Sequence, residues 1–242
     1  MNYLRKKNFW RALIPSLIFN FKNLPFNQAK KLPIWVHKMH CLSQKGRIII
    51  ESDNIYTGMI QLGFPRAATY RDTGITWRNK GLIIFKGSCK IGNDCHVIVG
   101  KQGILTFGED FKANAGVKIV SECKITFGSH TRFGWGCIMM DTNFHPLYDM
   151  EKKKFKRAFS PILIGDYNWF GLQCYIMHGV QTPERCIFGA RSVVTRGGQY
   201  ESYCVHGGSP IRVLSRNVMM DYEHDFVTDY SLPERNDKKQ SL

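Results

Sequence analysis

The 242-residue sequence has no Cys-x-x-Cys pair among its eight cysteines, no apolar stretch long enough to cross a bilayer, and few acidic side chains, 19 Asp and Glu against 34 Lys and Arg. Each shortage excludes something. Without paired cysteines, a zinc ribbon or thioredoxin-type redox centre is excluded, and residence in a reducing compartment makes disulfides unexpected. The apolar run Leu13 to Phe21 is broken by Pro15 and Asn20, and no small-residue cleavage site follows it. Neither a membrane span nor a signal peptide is therefore expected, and the cytoplasm is the expected location. The formal charge of +15 would draw phosphate-bearing or other anionic partners. Nucleic acid is not among those expected, because RNP, zinc-finger and helix-turn-helix signatures are missing. Beyond about residue 40 there is no long Ala- and Leu-rich amphipathic stretch, whereas Gly (22) and Phe (16) are abundant. This balance favours β structure in one main domain.

A six-residue period is present instead. Ile91 with Gly92 begins it and Val97 follows; a new phase runs from Phe107 with Gly108 through Ala113 to Ile119. It resumes at Phe127 with Gly128, Phe133 with Gly134, and Met139, then at Ile164 with Gly165, Phe170 with Gly171, Ile176, Thr182, Phe188 with Gly189, and Val194. Helices repeat near 3.6 residues and plain strands near two, so neither alone places an apolar residue before glycine at every sixth position. A coil of three short strands does: each unit supplies one flat face and one corner, the first position points inward, and glycine admits a tight corner. Stacked coils bury a core that no single unit could bury.

The cysteines test this phase independently. Cys89, Cys95, Cys123, Cys137, Cys174 and Cys186 fall four positions after a unit's start, and Val117, Thr131, Val180 and Ser192 occupy the same slot. A second inward position restricted to small side chains explains the interchange, and makes these cysteines packing residues.

The segment Ile164 to Val194, IGDYNWFGLQCYIMHGVQTPERCIFGARSVV, resembles the hexapeptide-repeat acyltransferase family, and the resemblance extends over about residues 82 to 215. It implies an all-β solenoid, a left-handed parallel β-helix, and it implies transfer of an acyl group from a coenzyme A thioester, most simply acetyl from acetyl-CoA to a sugar hydroxyl as in polysaccharide biosynthesis. The family also implies a homotrimer and no metal. The expected organisation is a helical and irregular leader over 1–45, the β-helix over 46–215 with a loop thrown out over 141–163, and a tail over 216–242 that covers a coil end or frays. The basic N-terminus (Arg5, Lys6, Lys7, Arg11, Lys22, beside Phe9, Trp10, Leu13 and Phe19) suits either weak contact with the inner face of an anionic membrane or packing on the domain or a partner subunit.

Function is expected in that loop, because long excursions from rigid scaffolds are where chemistry tends to sit. It begins Asp141, Thr142, Asn143, Phe144, His145, Pro146. A hydroxyl attacking a thioester needs a base near neutral pH, which histidine can provide. In the family a histidine on such a loop, after an Asp/Asn-rich segment, is that base, and His145 matches it. Asp141 or Asn143 would accept its other ring N–H; spacing does not choose between them. By themselves, Asp141, Thr142 and Asn143 are also ordinary turn residues that cap a coil. His96 and His130 fall at outward or corner positions and His206 near the coil's end, where surface placement is expected. His178 stands where the family often has proline, either as a surface residue or lining the donor groove.

For the donor, the resemblance points to Trp169 and Gly171, then Ala190 and Ser192, with a backbone N–H near Gly171 as oxyanion donor. Arg191 departs from the family's usual glycine and either narrows the groove or contacts phosphate. Gly208, Ser209 and Pro210 resemble the family's Gly-Asn-Pro exit, and Arg212 the basic residue beyond it. Lys152, Lys153, Lys154, Lys156 and Arg157, in the excursion, are placed either to hold an anionic acceptor or simply to be solvated. The competing functions are a serine or xenobiotic acetyltransferase, a carbonic anhydrase, which lacks the needed histidine pair around His145, and a non-enzymatic scaffold in which His145 is dispensable.

Overall fold

The computed structural model describes residues 3–222, with side chains from Trp10 onward. The side chains of Arg5, Lys6, Lys7 and Phe9, and the tail beyond Tyr222, lie outside the described residues.

From Ile34 to Val194 the chain winds into a three-sided parallel coil. The strands Ile34–Val36, Met39–Gln44 and Arg47–Ile50 make the first turn, and each joins a different sheet. The second face holds seven stacked strands, one for each coil. Parallel pairing sets every inward residue on its equivalent one coil away. On the first face Ile91, Ala113, Phe133, Phe170 and Phe188 stack in turn. On the third, Phe85, Phe107, Phe127, Ile164 and Thr182 do the same.

All the inward positions expected from the six-residue period are buried, Thr182 being the most exposed at 8%. Because the aromatic inward positions coincide in register, their rings form offset stacks: Phe133 to Phe170 at 4.6 Å and 6°, Phe170 to Phe188 at 4.5 Å and 5°. The small-residue slot is also inside, with Cys89, Cys95, Cys137, Cys174, Cys186, Val117, Thr131, Val180 and Ser192 buried. Only Cys123 is partly exposed, at the corner beneath the excursion. All eight cysteines are free.

The glycine after an inward residue has a more specific reason than a tight bend. A Cβ on Gly108 would lie 2.4 Å from the Gly128 backbone, and one on Gly128 would lie 2.5 Å from the Asp166 backbone. Successive corners approach too closely for any side chain between them.

The coil begins earlier than residue 46. Ile34–Val36 already pairs with Ile60–Phe64, and Met39–Gln44 with Ile75–Asn79. The first turns escape the period because the apolar-glycine pair occurs there at Leu62 and Gly63 without a repeat six residues on, and long connections separate the strands on either side. The excursion leaves after Ile138–Met140 and returns at Ile162–Ile164. At the far end Cys204–Gly207 adds a last strand to the first face, and Arg212–Arg216 turns back antiparallel on it, which ends the parallel stack. His206 therefore corrects the expectation of a surface residue. It is fully buried, stacks on Phe188 at 5.3 Å, and its Nε2 accepts the Glu201 N–H at 3.0 Å. Burial pushes its pKa down, keeping it neutral as this hydrogen bond requires.

Candidate active site

The excursion springs from the corner between the second and third faces of the fifth coil. Its base is bolted to the coil beneath. Asp141 is completely buried, and its carboxylate accepts from Ser121 Oγ at 3.0 Å, Glu122 N at 2.8 Å and Cys123 N at 2.9 Å. The two strands of the loop then pair: Asn143 N–H donates to Ala158 O at 3.1 Å, Ser160 N–H to Asp141 O at 2.9 Å, and Thr142 bridges Phe159. Farther out, Leu147–Asp149 and Lys154–Lys156 form an antiparallel hairpin.

His145 is exposed, three residues beyond that bridge. Asp141 is engaged on the preceding coil, which leaves Asn143 as the member of the pair whose side-chain oxygen is uncommitted. The Asn143 Oδ1 is buried without a hydrogen-bond partner, the kind of acceptor that a ring N–H or an incoming hydroxyl would satisfy. The coil above adds a residue at the same corner. Gly179 N–H donates to Ser160 O at 3.2 Å, which sets His178 beside the loop's base with its Nδ1 buried and unpartnered. His178 thus stands at the corner from which the excursion leaves, and it is not among the residues lining the Trp169 cleft of this chain.

Trp169 and Gly171 line a cleft of about 270 Å³ on the first face, with Trp135, Leu172 and Met220 as apolar walls and Arg66, Lys112 and Arg132 supplying positive charge. Beside it, Arg132 is paired with Asp110. Burial raises the Asp110 pKa, but hydrogen bonding and charge from Arg132, with help from Lys112 and His130, outweigh it and hold the carboxyl below its usual range. Sequence reasoning missed Arg66, Lys112, Arg132 and Trp135. Lys112 and Arg132 become neighbours only when coils four and five stack, and Arg66 comes from a separate connection that reaches the Asn93 side chain.

Other expected donor residues lie outside this cleft. The Ser192 hydroxyl is buried and donates to Gly189 O at 2.6 Å, so it packs the small-residue slot rather than facing a ligand. The Gly171 N–H itself is committed to Phe188 O at 2.7 Å, so an oxyanion donor near it would be a neighbouring amide. Ala190 and Arg191 are exposed at the corner of the seventh coil, Arg191 with φ +60°, the conformation that makes glycine usual there. Arg212 is exposed on the terminal antiparallel strand. Residues 217–222 run back along the first face, where Tyr222 OH donates to Tyr167 O at 2.6 Å.

A second cleft, of about 450 Å³, opens beneath the excursion. It is lined by Arg78, Lys80, Lys101, Gln102, Glu122 and Phe159. Glu122 neutralises Arg78 in part, at 3.4 Å. Arg157 lies over the Phe159 ring at 5.1 Å, so the cleft at the root of the His145 loop is predominantly cationic.

No protein-family model matches the chain. The polysialic acid O-acetyltransferase of Escherichia coli is 28% identical over 134 residues, covering 55% of this chain and 41% of that protein. The galactoside O-acetyltransferase of Lactococcus lactis is 28% identical over 135 residues, covering 52% of this chain and 64% of that one. The chain thus spans less than two thirds of the length of these curated relatives. The crystal structure of the polySia specific acetyltransferase NeuO is similar at a TM-score of 0.50 and 16% identity, over 83% of this chain and 95% of that one, which shows a shared fold. The six-residue period, the three-sided coil and these likenesses make the chain a left-handed β-helix protein of the hexapeptide-repeat type, similar to polysaccharide and sugar O-acetyltransferases.

Proposed function

We propose that the chain is an O-acyltransferase that moves acetyl from acetyl-CoA to a hydroxyl of a sugar or glycan, working as a homotrimer with active sites between protomers. The observation that carries this reading is the pairing of an exposed histidine on an anchored excursion with a cationic, tryptophan-lined cleft on a different face of the same coil. The excursion belongs to the corner between the second and third faces, and Trp169 to the first. Three-fold packing would bring the loop of one protomer against the cleft of the next, completing a site that one chain leaves divided.

In that site His145 takes the acceptor's hydroxyl proton, and the oxygen attacks the thioester carbonyl. The tetrahedral intermediate collapses with loss of the coenzyme A thiolate, which takes the proton back from the imidazolium. Asn143 Oδ1 is the group suited to fixing the histidine tautomer. The apolar walls of the Trp169 cleft fit a pantetheine arm, and Arg66, Lys112 and Arg132 fit its phosphates. The cations beneath the excursion, with Lys152, Lys153 and Lys154, favour an acceptor that carries negative charge. Eight free thiols suit the reducing cytoplasm.

Release of free thiol from acetyl-CoA, measured with a panel of nucleotide sugars and glycans, tests the reading. Acceptor-dependent release should fall about 10²–10⁴-fold in His145→Ala with the melting temperature unchanged. Full release in that variant would move the base elsewhere, His178 being the residue at the same corner. Absence of release and of coenzyme A binding would leave a scaffold.

A further inference from the structure

The N-terminal helix α1 (Tyr3–Asn23) packs inside out. The side it turns to the coil is mainly small and polar. Ala12, Ser16, Phe19 and Asn20 are buried. Asn20 Oδ1 accepts the Ile34 N–H at 3.1 Å, its amide donates to Ile34 O at 2.6 Å, and Ser16 Oγ accepts the Val36 N–H at 2.9 Å. Ile34–Val36 is the outermost strand of the first face and has a strand partner on one side only. The helix spends its polar side closing this edge, which would otherwise template pairing with another chain. Phe19 meets Trp77 inside the second coil, ring centroids 6.1 Å apart, so α1 also plugs the open end of the coil.

The apolar side is consequently left outward. Trp10, Ile14, Leu17, Ile18 and Phe21 recur at the three- and four-residue spacing of a single helix stripe and are 45–68% exposed. Phe26, 71% exposed, extends the stripe past the helix end, its ring 6.0 Å from that of Phe21. A surface helix normally turns such a stripe to the core, and a contiguous exposed patch of this kind marks an interaction surface.

Charge indicates the partner. The first 50 residues contain ten Lys and Arg and no Asp or Glu; Glu51 is the first acidic residue of the chain. Arg11, Lys22, Lys30 and Lys31 are exposed in or next to the helix. A second copy docking through this face would bring two all-positive segments together, which like-charge repulsion opposes. A bilayer with anionic headgroups meets both requirements, an apolar phase for the stripe and negative charge for its flanks.

We propose that α1, with the turn that follows it, is a peripheral membrane anchor that seats the first-coil end of the protein on an anionic lipid surface. The stripe from Ile14 to Phe26 enters the boundary between headgroups and acyl chains, and the flanking lysines and arginines lie at the lipid phosphates. The anchor lies on the surface, since no helix among the described residues is long and apolar enough to cross a membrane. The fifth coil, which bears His145, stands four coil spacings, about 19 Å, from the first. The acceptor within reach is then a glycan held close to the membrane. The anchor rests on the helix geometry and charge alone and stands independently of the acyl-transfer chemistry.

The test is flotation of the full-length protein with phosphatidylcholine vesicles, with and without phosphatidylglycerol. Wild type should float with the phosphatidylglycerol vesicles, less so as salt is raised, and remain below with phosphatidylcholine alone. Ile14→Gln combined with Ile18→Gln, both at exposed positions, should lower the bound fraction at least about tenfold. Its melting temperature and hydrodynamic size should be unchanged. Wild type that fails to float with anionic vesicles, or a double variant that floats as well as wild type, would overturn the anchor. A double variant that changes hydrodynamic size would overturn it too, since the stripe would then be an interface between copies. None of these results depends on whether His145 is catalytic.

Discussion

Removing the Asp141 carboxylate separates two roles that the sequence leaves superimposed. In the structure it is an anchor: fully buried, with Ser121 Oγ and the amides of Glu122 and Cys123 as partners. Asp141→Ala strands two main-chain donors at a half-buried corner. Each unsatisfied donor costs about 1–3 kcal/mol, and partial access of water puts the sum toward the lower end, about 3 kcal/mol. For a domain of this size that is a fall in Tm of about 6–12 °C. The excursion should loosen at the same time, since its return strand hangs on the Asp141 carbonyl through Ser160. Thermal melting by circular dichroism, with limited proteolysis of the 141–161 segment, measures both effects. A residue that only oriented His145 would behave in the opposite way, with turnover falling by orders of magnitude and melting unchanged. An Asp141→Ala protein that melts within about 1 °C of wild type would refute the anchor.

Phe170→Ala opens a gap between Phe133 and Phe188 in the ring stack and should cost about 3–5 kcal/mol, read as the shift in a denaturant midpoint at unchanged slope. Arg191→Gly relieves a left-handed backbone at the corner where Gly116 and Gly136 stand in earlier coils, and should stabilise by about 1 kcal/mol, seen as a rise in Tm of about 2–4 °C. In the native protein Cys41 should react fast with a thiol reagent, whereas Cys95 and Cys186 should stay silent until unfolding, because burial pushes both thiols up to about 12.

Much of the scaffold was legible in sequence because its interactions repeat. An inward residue such as Phe133 contacts its equivalents Ala113 and Phe170, so one apolar-glycine unit announces the next. The first coils were not legible for the converse reason: Ile34–Val36 follows no glycine-punctuated unit and is defined by the helix that closes its edge. His145 was legible as a histidine on an excursion, and Trp169 through family resemblance, yet neither pattern said that they sit on different faces of one chain.

The sequence by itself determined the coil, its inward positions, its small-residue slot and the point where the loop leaves, because these are periodic properties carried by residues close together in the chain. Only the tertiary structure decided what each polar group does. It turned Asp141 onto the corner below, drew the Ser192 hydroxyl inward, tied the Gly171 amide to Phe188, buried His206 and left Asn143 Oδ1 and His178 Nδ1 waiting for partners. The physical reason is that a polar group's partner is set by where the folded backbone passes, on an adjacent coil for Asp141 and Gly171 and within the same corner for Ser192, whereas a repeated core announces itself along the chain.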